Sequence, residues 1–243
     1  MTFSFREEDI ELWLPLRGRP RQNVRLPNIG MLDNLARFLR YPVFQPTDEP
    51  LRIVDAGACV GAFVMAVKEQ APNAVIHAFE PYAPCWPYLE SNLAGLEGVT
   101  IHKCALGAQA GRAWLGRPST AITTIGQTSL YGTLSGAQEV EVKTLDDVLA
   151  GEKVEVIKAD VEGAELDVLK GARRTLAEQR PLLILELKEH NQARAGHTIK
   201  DVVDWLASRG YGKPKVFPYG DYLFEPVKVA STRLGAISQA VPA

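Results

Sequence analysis

The sequence predicts an α/β fold in which a doubly wound, mostly parallel sheet carries helices on both faces and ends in an antiparallel hairpin. Apolar, strand-like runs alternate with helical patterns from residue 51 onward. A glycine-spaced turn joins the first of these strands to the first helix, and acidic residues follow the ends of three strands. The alternation indicates parallel strands, and the acids indicate a ligand site at one edge of the sheet.

The elements follow in order along the chain. Strands are predicted at 51–56, 74–79, 98–103, 154–159 and 181–187, and helices at 61–70, 84–93, 163–178 and 198–209. Residues 104–150 contain several glycines and predict irregular hairpins, in one of which Val140 and Val142 alternate with polar residues. Near the C-terminus, strand-like residues 215–217 and 222–224 flank Pro218-Tyr219-Gly220-Asp221, which has the composition of a hairpin turn.

With 243 residues and 46% apolar side chains, the chain is long enough for one full α/β domain. We expect an N-terminal appendage at 1–50, the main domain at 51–230 and a tail at 231–243. Within the appendage, only residues 31–41 have helical spacing. The appendage is expected to act as a lid over the site or as a contact in a homo-oligomer. The alternative is a surface extension whose arginines are simply solvated.

The first strand leads to Asp55 and the turn Gly57-Ala58-Cys59-Val60-Gly61, and the second strand ends in Glu80. Glycines here let the backbone approach a ligand closely, and an acid after the second strand can accept hydrogen bonds from both ribose hydroxyls. A dinucleotide loop has G-x-G-x-x-G spacing and receives a pyrophosphate, which the carboxylate of Asp55 would repel. That carboxylate suits the sulfonium and ammonium groups of S-adenosylmethionine, the cofactor that we predict. In the structural alternative, the glycines only close a tight turn and Asp55 caps the helix.

A third acidic segment follows the fourth strand, where Asp160, Glu162 and Glu165 lie before a helix with apolar spacing. Acids at this edge of a doubly wound sheet lie where such folds bind ligands. The structural alternative is that Asp160 caps the helix and the two glutamates complement its dipole. Lys158 precedes them on a strand that should be buried, where an unpaired charge is costly. We therefore predict that Lys158 pairs with a carboxylate near the site.

Three motifs occur in order: Val54-Asp55-Ala56-Gly57-Ala58-Cys59-Val60-Gly61, Phe79-Glu80-Pro81 and Ile157-Lys158-Ala159-Asp160-Val161-Glu162-Gly163-Ala164-Glu165. Together they resemble the V-D-x-G-A-x-x-G-like loop, F-E-P strand end and I-K-x-D-V-E-G-A-E segment of the FkbM-type methyltransferases. The resemblance covers about residues 51–190. It implies a Rossmann-like, seven-stranded methyltransferase sheet, S-adenosylmethionine as the methyl donor, and O-methylation of a sugar, polyketide or other small biosynthetic intermediate.

The resemblance also implies the residues that hold the cofactor. The methionine and ribose end would contact Asp55, Gly57, Ala58 and Gly61, and Glu80 would hold the ribose. The adenine would lie beside Pro81, Tyr82, Ala105 and Leu106. The first fifty residues and the segment 111–139 have no secure counterpart in the family, so we expect them to determine the choice of substrate.

Methyl transfer to a hydroxyl group needs alignment of donor and acceptor, and it benefits from a base. We predict Asp160 as the catalytic carboxylate, assisted by His190 or Glu186. Candidate substrate contacts are Glu162, Ser129 and Tyr131. The alternative for Asp160, Glu162 and Glu165 is a Mg²⁺ site, since Mg²⁺ prefers oxygen ligands, and the sequence leaves a metal unassigned.

Composition limits the other classes of function. Lysine and arginine number 27 against 29 aspartate and glutamate, so the chain offers no basic block for a nucleic acid. No apolar run is long enough to span a membrane, and we expect a cytoplasmic location. Three scattered cysteines indicate neither a disulfide framework nor a zinc site. Two rival functions are an NAD-dependent oxidoreductase or epimerase, which would need a pyrophosphate-binding loop and usually a Tyr-x-x-x-Lys pair, and a non-catalytic nucleoside-binding accessory protein.

Overall fold

The computed structural model describes residues 35, 37–118, 128–132 and 134–227. The strands in these residues are β1 (Arg52–Ala56), β2 (Val75–Phe79), β3 (Val99–His102), β4 (Ala105–Leu106), β5 (Gly111–Pro118), β6 (Leu134–Lys143), β7 (Val156–Ala159), β8 (Leu182–Glu186), β9 (Lys215–Val216) and β10 (Asp221–Phe224). The helices are α1 (Ala62–Gln70), α2 (Trp86–Leu93), α3 (Leu145–Leu149), α4 (Glu165–Lys170), α5 (Arg173–Glu178), α6 (Glu189–Arg194) and α7 (Ile199–Ala207).

The main sheet has seven strands in the order β3-β2-β1-β7-β8-β10-β9. Strands β3, β2, β1, β7 and β8 are parallel, and β10 is antiparallel to both β8 and β9. The predicted doubly wound sheet with a C-terminal antiparallel hairpin is therefore confirmed. The turn of that hairpin is a single 3₁₀ turn over Pro218–Gly220, in which Tyr219 adopts a left-handed conformation with φ of 68°.

The segment between the third and fourth predicted strands forms a second, three-stranded sheet in the order β4-β6-β5. Strands β5 and β6 are antiparallel and place Ala113 opposite Val140 and Gly111 opposite Val142. The register shifts between Leu115 and Arg117, so this hairpin is irregular as predicted. The remainder of the segment, 119–127 and residue 133, lies outside the described residues.

Two apolar clusters cover the two faces of the main sheet. Successive residues of β1 alternate between them: Ile53 lies in one cluster, and Val54 in the other. Helices α1 and α2 cover the first face, and helices α3, α4, α5 and α7 cover the second. This division is the physical basis of the doubly wound arrangement, since each face of the sheet buries its own apolar side chains.

Part of the predicted appendage packs on the first face. Leu35, Phe38 and Phe44 are buried in that cluster, and the rings of Phe38 and Phe217 lie 5.0 Å apart. Residues 1–34 of the appendage, and the predicted tail at 231–243, lie outside the described residues. No helix in the part of the chain that the structure describes is long and apolar enough to cross a membrane.

The predicted helix 163–178 is wrong as a single element, because it is divided into α4 and α5. A Cβ atom on Gly171 would lie 2.1 Å from the carbonyl oxygen of Gly107, so the backbone approaches its neighbour too closely for a side chain. The short helices α3 and α6 were not predicted, since five or six residues give too little periodicity to distinguish them from a loop.

Candidate functional site

Asp55 is fully buried on β1, directly beside Lys158 on β7. The Lys158 ammonium lies 2.9 Å from Asp55 Oδ1, which confirms the predicted pair between this lysine and a carboxylate. Burial alone would lower the pKa of Lys158, but the charges of Asp55 and Asp160 raise it above the ordinary lysine value. Lys158 therefore remains a buried cation.

The second oxygen of Asp55, Oδ2, is buried and has no hydrogen-bond partner among the residues that the structure describes. Burial raises the pKa of the Asp55 carboxyl, an effect that the nearby Lys158 ammonium opposes. A buried carboxylate oxygen without a partner is costly in a folded protein. Its free lone pairs fit a ligand that donates hydrogen bonds or carries positive charge, as the predicted cofactor does.

The glycine turn that follows β1 lies close to the ends of two other strands. The amides of Gly57 and Ala58 donate to the carbonyl oxygen of Phe79, at 3.0 and 2.9 Å. Gly57 has a φ of 81°, and a Cβ atom there would lie 1.9 Å from the carbonyl oxygen of Asp160. Gly61, with a φ of 87°, begins α1 at its N-cap. Gly57 thus lets the backbone of the turn approach the end of β7 more closely than a residue with a side chain could.

Glu80 connects this turn to the segment after β2. Its carboxylate accepts hydrogen bonds from the Cys59 amide at 2.8 Å and from the Tyr82 amide at 2.7 Å. Burial raises the pKa of Glu80 to about 7, although the two amide donors oppose this shift. Each carboxylate oxygen can accept a further hydrogen bond, so Glu80 can still receive the hydroxyls of a ribose.

The residues expected beside the adenine lie in two environments. Pro81 and Tyr82 are partly exposed and directly follow Glu80. Ala105 is buried in the cluster of the small sheet, against which Tyr82 packs. The Leu106 side chain is buried in the apolar cluster on the second face of the main sheet. The structure therefore brings Tyr82 and Ala105 together, while the Leu106 side chain belongs to the packing beneath them.

Three carboxyl groups meet where β7 and β8 end. Asp160, Glu162 and Glu186 each present an oxygen, and these atoms lie within 4.8 Å of one another. Burial and the charge of Asp160 raise the pKa of both Glu162 and Glu186. The Lys188 ammonium lies 2.7 Å from Glu186 and opposes that rise. Three carboxyl groups in this arrangement can share a proton with one another and can accept a proton from a ligand.

Glu165 lies apart from the three carboxyl groups, so the alternative Mg²⁺ site made of Asp160, Glu162 and Glu165 is not formed by these residues together. Glu165 is fully buried and accepts hydrogen bonds from the Val161 amide at 3.0 Å and from Gln192 Nε2 at 2.7 Å. Burial raises its pKa to about 7. Its carboxylate is thus used within the chain to shape the turn before α4. The spacing of Asp160, Glu162 and Glu186 would suit a cation, but acidic groups of this kind are common without one.

The remaining candidates lie around this group. Ser129 is fully buried, and its hydroxyl donates to the carbonyl oxygen of Glu162 at 2.9 Å. The Tyr131 hydroxyl donates to Asp167. These bonds attach the segment 128–132 to the turn that carries Glu162 and to α4. His190 is exposed on α6 and lies outside the group of three carboxyls.

Two residues that the sequence did not single out support the site. Asn191 Nδ2 donates to Glu162 at 2.7 Å, and Gln192 holds Glu165, as described above. Both are fully buried on α6, directly after the strand that ends in Glu186. Their nearness to that strand end was the available signal, because polar residues that follow a strand with an acid at its end commonly complete a site.

Comparisons with known proteins show which family the chain belongs to. The family model for the methyltransferase FkbM domain matches residues 55–212. The chain is 35% identical over 153 residues to "Methyltransferase sdnD" of Sordaria araneosa, covering 49% of this chain and 59% of that protein. It is 32% identical over 149 residues to "Methyltransferase 1" of Beauveria bassiana, and this match covers 49% of this chain and 57% of that protein. The chain thus spans less than two thirds of either relative. The crystal structure of methyltransferase FkbM from Methylobacillus flagellatus KT superposes with a TM-score of 0.52 at 19% identity, covering 72% of this chain and 43% of that one.

Proposed function

Because the chain belongs to the FkbM methyltransferase family, we propose that it transfers a methyl group from S-adenosylmethionine to a hydroxyl oxygen of a small acceptor. We propose a sugar, a polyketide or another small biosynthetic intermediate as that acceptor. The observation that carries the proposal is the buried Oδ2 of Asp55, which has no partner among the described residues and lies beside the glycine turn and one strand away from Glu80.

The donor side of the site is proposed to hold the cofactor by charge and hydrogen bonding. Bound S-adenosylmethionine supplies an electrophilic methyl group on a positively charged sulfur. Asp55 Oδ2 would accept from its ammonium group, directly or through water, and Glu80 would accept from its ribose hydroxyls. Gly57 lets the donor turn pack directly against the end of β7, where a side chain would meet the carbonyl oxygen of Asp160. Pro81 and Tyr82 would line the adenine.

The acceptor side is proposed to use Asp160 as the base. Asp160 lies directly after β7, near both the Gly57 turn and the carboxyl group of Glu186. Asp160 would take the proton of the acceptor hydroxyl as the new carbon–oxygen bond forms, and Glu186 would share that proton. Of the two assisting residues that the sequence suggests, Glu186 is favoured over His190, which is exposed and outside the group. Alignment of the two reactants supplies the larger part of the rate enhancement.

The oxidoreductase alternative finds less support in the chain. One Tyr-x-x-x-Lys spacing does occur, from Tyr211 to Lys215. However, Tyr211 is buried and its hydroxyl donates to the carbonyl oxygen of Pro181 at 3.0 Å. Lys215 forms a surface ion pair with Glu225 at 3.2 Å. Both groups are therefore used within the fold, away from the residues proposed to hold the cofactor.

Calorimetric titration with S-adenosylhomocysteine tests the cofactor, with NAD⁺ titrated in parallel. We expect micromolar-range binding of S-adenosylhomocysteine alone. Binding should be lost in Asp55→Ala and Glu80→Ala and kept in Asp48→Ala, which removes an exposed carboxylate outside the site. Binding of NAD⁺ alone would favour the oxidoreductase, and binding of neither ligand would count against the proposal.

A methyl-transfer assay with labelled donor and a panel of hydroxylated acceptors tests the reaction. We expect transfer to oxygen by the wild-type protein and at least a hundredfold lower kcat for Asp160→Asn, with the donor affinity unchanged. Donor binding without transfer to any acceptor in the panel would favour the accessory nucleoside-binding protein.

A further inference from the structure

Two cysteines lie side by side at the proposed donor site. The sulfur atoms of Cys59 and Cys85 are 3.9 Å apart, although the residues are 26 positions apart in the chain. Cys59 lies in the turn between β1 and α1, and Cys85 ends the 3₁₀ turn over Ala83–Cys85 that precedes α2. The third cysteine, Cys104, is buried elsewhere, in the apolar cluster on the second face of the main sheet.

Both cysteines are tied to the residues that would hold the cofactor. The Cys59 amide donates to Glu80 at 2.8 Å, and Cys59 adopts a left-handed conformation with a φ of 51°. The Cys85 amide donates to the carbonyl oxygen of Tyr82 at 2.9 Å. A movement of either sulfur would therefore be transmitted to Glu80 or to Tyr82.

The two thiols differ in access to solvent. Cys59 is partly exposed, whereas Cys85 is fully buried. The hydrogen bond with Cys59 and burial raise the pKa of the Cys85 thiol. Because Cys59 is the more exposed of the two, its sulfur meets an oxidant from solvent first.

We propose that Cys59 and Cys85 form an oxidation-sensitive pair that closes to a disulfide and thereby weakens binding of the methyl donor. The oxidant is a hydroperoxide such as hydrogen peroxide. The Cys59 sulfur attacks the peroxide, which is reduced to water as Cys59 becomes a sulfenic acid. The Cys85 sulfur then attacks that sulfenic acid, and the sulfur–sulfur bond forms as a second water leaves. Two thiols and one peroxide thus give one disulfide and two waters.

Closure would distort the donor site because the bond length of a disulfide is about 2.05 Å. The two sulfurs must therefore approach each other from their present 3.9 Å separation. Cys59 lies in the glycine turn, so this approach pulls on the segment that we propose to contact the cofactor. Its hydrogen bond to Glu80 would lengthen or break. The effect on donor binding rests on the proposed function, whereas formation of the bridge does not.

The experiment treats the full chain with hydrogen peroxide and follows two readouts. Peptide mapping by mass spectrometry, without reduction, identifies the bridged peptides. Calorimetry measures the affinity for S-adenosylhomocysteine before oxidation, after oxidation, and after reduction with dithiothreitol. We expect a Cys59–Cys85 bridge, an at least tenfold weaker affinity, and recovery on reduction. Cys104→Ser serves as the matched control and should respond as the wild type does.

Variants separate the switch from general damage. Cys59→Ser and Cys85→Ala should each keep after peroxide treatment the affinity for S-adenosylhomocysteine that the same variant has before it. Absence of the bridge in the oxidised wild type would overturn the proposal, and a bridge with an affinity within twofold of the reduced value would overturn its control of donor binding. If the reduced wild type binds no S-adenosylhomocysteine, the proposed function and the control of donor binding both fail, while peptide mapping still decides whether the pair closes.

Discussion

Replacing Lys158 with methionine removes the buried cation that faces Asp55 across β1 and β7. Methionine keeps most of the length and apolar contact of the lysine stem, so the main change is the loss of charge. The variant leaves Asp55 as a fully buried carboxylate, neither oxygen of which has a partner in the described part of the chain. Removal of one partner from a buried ion pair costs about 3–5 kcal/mol, and we expect a loss of unfolding free energy in this range at pH 7.

The same reasoning gives the direction of the pH dependence. Without Lys158, the folded-state pKa of Asp55 should rise further above its ordinary value, because burial then acts unopposed. A raised folded-state pKa means that the folded protein holds the proton more tightly than the unfolded chain does. The stability deficit of Lys158→Met should therefore be largest at neutral pH and should shrink as the pH falls toward the ordinary aspartate pKa.

Urea unfolding followed by tryptophan fluorescence measures this effect at pH 7 and pH 5. Lys170→Met is the matched control, because Lys170 forms a partly exposed pair with Asp167 at 3.5 Å and should cost less than about 1 kcal/mol. Asp55→Asn combined with Lys158→Met completes a double-mutant cycle, in which the double variant should lose less than the sum of the two single losses. A Lys158→Met loss below about 1 kcal/mol, or an additive cycle, would refute the argument.

Three further predictions follow from single contacts. Because burial raises the folded-state pKa of Glu165 to about 7, its contribution to stability should fall as the pH rises from about 4.5 to about 7. Urea unfolding should therefore show that the difference in unfolding free energy between the wild type and Glu165→Gln changes by up to about 3 kcal/mol over that pH range. A difference that stays constant with pH would contradict this prediction. Gly57→Ala should abolish binding of S-adenosylhomocysteine in calorimetry because of its clash with the end of β7, whereas Gly151→Ala, at a φ of 94° with open space around it, should bind normally. Equal binding by both variants would speak against a close backbone approach at the donor turn. Tyr131→Phe should lower the unfolding free energy by about 1 kcal/mol, because Asp167 loses a hydrogen-bond donor. An unchanged urea midpoint would show that this bond contributes nothing.

The sequence predicted those parts of the fold and site that depend on local pattern or on one strong physical cost. The glycine turn and the acids after the strands are adjacent in sequence to the strands that position them. The pairing of Lys158 was predicted without knowledge of its partner, because an unpaired charge on a central strand is too costly to occur. The partner itself, Asp55, became known only from the register of β1 and β7.

Other features depend on contacts between distant segments and could not be predicted in the same way. Glu162 and Glu165 are three residues apart, yet they lie in different places. Glu162 lies with Asp160 and Glu186, whereas Glu165 is buried and accepts a hydrogen bond from Gln192. That choice depends on α6, which was too short to predict. The break between α4 and α5 likewise depends on Gly107, which approaches Gly171 from another part of the chain.

The charges at this edge of the sheet argue for a cationic ligand independently of any motif. The carboxyl groups outnumber the basic groups that face them: Asp55, Glu80, Asp160, Glu162 and Glu186 lie near Lys158, Lys188 and Arg194. Burial raises the pKa of the carboxyl groups of Asp55, Glu80, Glu162 and Glu186, and the charges of neighbouring carboxylates add to each rise. A pyrophosphate would add negative charge to that excess, and its binding would require still more protonation. A ligand with a sulfonium and an ammonium group would offset the excess and supply the donor that Asp55 Oδ2 lacks. The excess of carboxyl groups at this edge of the sheet would thus favour the proposed methyl donor over a dinucleotide.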